Sequence, residues 1–118
     1  MNLRVELDHP LAGLQRGSRV AGVVLAGDGG AARAVEAWLE FVEHAGKFRL
    51  VAARTEAVEI HAGPVPPGHT MRFALRLPAD ALPTLETEWG ALRWTLVVRV
   101  DRPLRPDVRA ELDLDVRA

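Results

Sequence analysis

Apolar and polar residues alternate with a period of two along most of the chain. That is the pattern of a β-strand with one buried and one wet face. It is cleanest near the C-terminal end, where Val108, Ala110, Leu112, Leu114 and Val116 alternate with Arg109, Glu111, Asp113, Asp115 and Arg117. Upstream, Leu92, Trp94, Leu96, Val98 and Val100 alternate with Arg93, Thr95, Val97 and Arg99. Pro103 and Pro106 make the stretch between them, Asp101 to Asp107, a loop, because proline donates no ladder hydrogen bond. Leu3, Val5 and Leu7 form another alternating set, as do Met71, Phe73, Leu75 and Leu77. A third set is Phe48, Leu50 and Ala52, set against Arg49, Val51 and Ala53. Its apolar phase returns at Val58 and Ile60. Arg19 to Leu25 is apolar on both faces, as a central or covered strand would be, and it stops at the turn Gly27-Asp28-Gly29-Gly30.

The segment 32–44 fits two patterns. Val35, Trp38, Leu39 and Val42 make a helical stripe in a stretch rich in Ala and Glu. As a strand, Val35, Ala37, Leu39 and Phe41 face inward and Trp38 and Val42 outward. The neighbouring strands and the hairpin turn His44-Ala45-Gly46-Lys47 favour the strand. Pro78 and Pro83 break 79–88 into a loop, and Pro64, Pro66 and Pro67 mark another. About seven short strands with turns between them predict an all-β fold. The expected form is a two-sheet antiparallel β-sandwich, immunoglobulin-like, with residues 1–118 as a single domain.

Composition narrows the function. The 118 residues are 48% hydrophobic and 26% charged, with net charge −1. There is no basic field to attract nucleic acid or an anionic membrane. No apolar run reaches the roughly 20 residues of a membrane span. Cysteine is absent, so disulfides, thiol nucleophiles and thiolate metal sites are excluded. The opening residues lack a secretory pattern, and the expected location is cytoplasmic. Lys47 is the only lysine among 15 basic residues, a bias expected of a GC-rich genome.

Candidate chemistry is thin. His9, His44, His61 and His69 fall in predicted turns without metal-ligand spacing, so no metal and no cofactor is expected. Asp101, Asp107, Glu111, Asp113 and Asp115 do not form a calcium loop. Ser18 lacks a nucleophile-elbow context. Glu36 and Glu40 are predicted on a wet outer face, where acid–base chemistry has no support. Gly27 to Gly30 is not followed by the Lys-Ser/Thr of a phosphate loop. No enzyme is expected. Trp94 is placed in the core and Trp89 over the end of the sandwich. Trp38 points outward on its strand, with Ala34, Val42 and Val51 on the same face; such an apolar patch marks a protein interface.

The order of segments resembles one half of the arrestin-like fold, and within it the bacterial sporulation-control branch of arrestin-related proteins. Gly17-Ser18-Arg19-Val20-Ala21-Gly22-Val23-Val24-Leu25 is similar to that family's second strand. Gly29-Gly30 followed by Val35 to Phe41 is similar to its next long strand. Gly68-His69-Thr70-Met71-Arg72-Phe73-Ala74-Leu75-Arg76-Leu77-Pro78 is similar to its glycine-to-proline segment. Trp94 to Asp101, with Asp107 and the closing strand, completes the series. Arrestins carry two such sandwiches and a polar core between them; this chain has room for one, so that core is not carried over. The resemblance implies a non-catalytic cytoplasmic scaffold whose partner is another protein or a second copy of itself, as a homodimer. A small-ligand or carbohydrate-binding sandwich is the alternative class, and an enzyme with an unrecognised site a further one.

Overall fold

The computed structural model describes residues 1–10 and 13–117. Its strands are β1 (Leu3–Leu7), β2 (Leu14–Gln15), β3 (Arg19–Ala26), β4 (Ala34–Ala45), β5 (Phe48–Arg54) and β6 (Val58–Ala62). They continue as β7 (His69–Arg76), β8 (Leu85–Thr87), β9 (Gly90–Asp101), β10 (Val108–Leu114) and β11 (Val116–Arg117). Among the described residues there is no helix. The ambiguous segment is therefore strand from Ala34 to Ala45 despite its composition, since β4 is hydrogen-bonded along both sides and that outweighs propensity.

β1, β3 and β7 form one antiparallel sheet with β3 in the middle, which explains why β3 is apolar on both faces. The larger sheet is built on the pair β4–β9. β10 and β8 follow one another along the free side of β9, and β6 and β5 along the free side of β4. Thr55 bridges the gap between β5 and β6. Its N–H donates to the Leu39 carbonyl at 2.8 Å, and its hydroxyl accepts from the Leu39 N–H at 3.0 Å. β11 pairs with β2 in parallel, a short departure from the all-antiparallel expectation.

The two sheets face each other across one core. Val35, Ala37, Leu39 and Phe41 of β4, with Trp94, Leu96, Val98 and Val100 of β9, pack on Val20, Val24, Met71, Phe73 and Leu75 of the smaller sheet. Gly22 of β3 has no room for a side chain, because a Cβ there would run into the backbone of Glu6 and Leu7 on β1.

The sheets differ in length. β4 and β9 have 12 residues each, whereas β3 and β7 have 8. At about 3.4 Å per residue that is about 40 Å against about 27 Å. The long dimension of the molecule, 41 Å, matches the length of the central pair. The larger sheet therefore overhangs the smaller one. The core ends at Phe41 and Trp94, whose rings lie 5.2 Å apart, and the Trp94 indole donates to the Leu82 carbonyl at 3.0 Å.

Several details correct the sequence reading. A bulge shifts the β4–β5 register, so Val51 pairs with Val42 while Ala53 pairs with Phe41 on the opposite face. Residues 85–87 are a strand rather than loop. His44, His61 and His69 lie on β4, β6 and β7 rather than in turns. The hairpin after His44 is as expected, with Gly46 at φ 58° opening a two-residue turn.

Candidate functional site

The outer face of the larger sheet was the expected interface. Residue pairing brings Glu36, Trp38, Glu40 and Val42 of β4 beside Arg99, Val97, Thr95 and Arg93 of β9. Arg109, Glu111 and Asp113 of β10 continue that face on one side, and Val51 and Arg54 of β5 on the other. Trp38 does point outward, but it is only 2% exposed, and Val42 is buried beside it. Ala34 is half-buried and Val51 exposed. The expected open apolar patch is thus closed, and the cover comes from the chain itself. The guanidinium groups of Arg54, Arg99 and Arg109 lie 4.5, 5.2 and 5.6 Å from the Trp38 ring centre. At these distances a cation is attracted by the face of the indole.

Glu40 holds this cover in place. It is 4% exposed, not on a wet surface. Its Oε1 accepts from the Trp38 indole at 2.9 Å and lies 3.6 Å from Arg109, while Oε2 lies 3.4 Å from Arg49. A buried carboxylate is tolerable only when paired in this way. Around it, Arg99 binds Glu36 at 2.6 Å, and this hydrogen bond raises the Arg99 pKa further above its ordinary value. Arg93 binds Asp113 at 3.1 Å and Glu86 at 3.3 Å. The outer face is a layer of paired charges over a tryptophan.

The other face of the overhang is different. Beyond Trp94 and Phe41, the inner face continues as Glu43 and Ala45 on β4, Leu92 on β9, Leu85 on β8, and Leu50 and Phe48 on β5. Leu92 is half-buried against the edge of the core, and among the described residues β5 and β8 have no strand of the smaller sheet opposite them. Phe48 is 81% exposed, and Leu50 and Leu85 are exposed as well. Trp89, at the β8–β9 turn, is also 81% exposed rather than packed over the sandwich end. A shallow cavity of about 220 Å³ lies among Glu43, Ala45, Leu85, Trp89 and Leu92. Sequence phase had placed Phe48 and Leu50 on the inner side correctly; it carried no information on where the opposing sheet stops.

The histidines are scattered apart from one pair. The His61 and His69 rings are 4.9 Å apart, and His61 Nε2 lies 2.9 Å from the Pro64 carbonyl. Among the described residues no three of His, Cys, Asp and Glu are grouped to hold a metal ion. Adding EDTA is therefore expected to leave the melting temperature unchanged. A large fall would reveal an ion bound to the folded state, which stabilises by mass action. Among the described residues no helix is long and apolar enough to cross a membrane.

Two facing sheets, one overhanging the other, define an all-β sandwich. The fold is similar to that in the crystal structure of Spo0M, sporulation control protein, from Bacillus subtilis, with a TM-score of 0.75 at 17% sequence identity. The match covers 98% of this chain and 49% of that one, so the chain spans about half the length of that structure. The resemblance to sporulation-control arrestin relatives is borne out at the level of the fold. No family model and no curated protein matches the chain.

Proposed function

We propose that the chain is a non-catalytic arrestin-like domain that binds protein, acting as a cytoplasmic scaffold. One observation carries this reading: the overhanging shelf that presents Phe48, Leu50, Leu85 and Trp89 to solvent. Large apolar side chains on an ordered sheet contribute little to the domain's own core, and their burial against another surface is favourable. Backbone pairing from the β5 edge can add to such a contact. A photo-crosslinking residue at Phe48 or Trp89, introduced in the source cell, should capture protein. The same residue at Arg4, exposed on the smaller sheet, should not. Capture from Arg4 alone, or from none of the three, would contradict the reading.

A second reading keeps one observation of its own. Phe48 and Trp89 are exposed aromatics on an open face, as in a carbohydrate-binding sandwich. That reading requires sugar binding that is lost in Trp89→Ala without any protein capture at the shelf.

A further inference from the structure

The shelf has a knob, a hole and two unpaired charges, and they match each other. Phe48 projects from the β4–β5 hairpin. The cavity of about 220 Å³ lies on the same shelf beside Trp89. A cavity on the order of 150 Å³ already accepts a benzene ring, so this one has space for a phenyl group. Glu43 lines the cavity, and Lys47 stands next to Phe48 at the hairpin tip. Both are exposed, and among the described residues neither has an ion-pair partner. This contrasts with the outer face of the same sheet, where the carboxylates of Glu36, Glu40, Glu111 and Asp113 are all paired.

We propose that the occupant of the shelf is a second copy of this chain, in a two-fold dimer where Phe48 of each copy fills the cavity beside Trp89 of the other. A two-fold axis presents the same patch on both sides, so a patch holding both a knob and its hole satisfies itself. The insertion that seats Phe48 brings the second copy's Lys47 towards Glu43, the one carboxylate lining the cavity, which would otherwise be covered unpaired. The two shelves then stack as facing sheets, extending each sandwich where its own smaller sheet stops. Phe48, Leu50, Leu85 and Trp89 together bury on the order of 500 Å² per copy, or about 1,000 Å² in all, the size of a weak, reversible interface.

This inference rests on the shelf being a protein-binding surface, and its test separates the two. Light scattering on size-exclusion fractions, over a roughly hundredfold dilution series, should show a dimer that dissociates to monomer. Phe48→Glu and Trp89→Glu should each weaken the dimer on the order of tenfold or more, as expected on losing an anchoring aromatic. Leu104→Glu, in a fully exposed loop position, should not. Both shelf residues are exposed, so at dilutions where the parent is monomeric the variants should melt with it, and only the concentration-dependent part of the parent's melting temperature should be lost. Charge reversal offers a second arm: Lys47→Glu should weaken the dimer, and Lys47→Glu combined with Glu43→Lys should restore it. A parent that stays monomeric, or a dimer indifferent to all these changes, overturns self-pairing. If Phe48 crosslinks to a different protein while the parent stays monomeric, self-pairing fails and the protein-binding reading stands.

Discussion

Trp38→Ala should cost about 3–5 kcal/mol, enough to unfold a marginal domain, even though Trp38 points away from the core between the sheets. The side chain is 2% exposed and supports four partners: Arg54, Arg99 and Arg109 over its ring and Glu40 at its indole nitrogen. Truncation leaves a void under three guanidinium groups and removes one donor from a buried carboxylate. Trp38→Phe separates these effects. It keeps a ring beneath the arginines and loses the 2.9 Å bond to Glu40, so the loss should fall to about 1–3 kcal/mol. Denaturant melts of the three proteins measure both values. If Trp38→Ala melted with the parent, the ring would not be under the charged layer.

Phe73→Ala should also cost about 3–5 kcal/mol, from the other side of the core. Phe73 is buried on β7 and packs in the cluster with Leu96 and Phe41. Arg72, one position earlier, points outward and meets Asp8 at 2.9 Å on an exposed surface. Such a pair contributes little, so Arg72→Ala should stay within about 1 kcal/mol of the parent. Equal losses would mean that β7 is out of phase by one residue, which would turn every side chain on it to the wrong face.

Much of the fold was legible because burial on one face imposes a period of two. β1, β7, β9 and β10 follow directly from it, and Trp94 falls on the buried side as its phase requires. β4 could be read as strand only from its neighbours and the turn after it. What alternation cannot convey is whether a face has a cover. Phe48 and Leu96 have the same inward phase, yet one is 81% exposed and the other fully buried. The difference is the length of the opposing sheet, which no residue near Phe48 encodes. Trp38 is the converse case. Its outward phase was right, but its cover comes from Arg54, Arg99 and Arg109, on three other strands. Only the register of β4, β5, β9 and β10 brings them together. The β5 bulge was silent as well, since Val51-Ala52-Ala53 contains no Gly or Pro to announce it.

The exposed large aromatic side chains, Phe48 and Trp89, lie on the shelf, whereas Trp38 on the outer face is covered by its arginines. Hydroxyl-radical footprinting of the intact protein reads this from side-chain oxidation. In dilute solution Trp89 and Phe48 should oxidise rapidly while Trp38 and Trp94 stay protected. On concentration, protection should spread to Trp89 and Phe48 and to no other aromatic residue. Oxidation of Trp38 at the rate of Trp89, or protection that arises on the outer face and leaves the shelf exposed, would contradict the account.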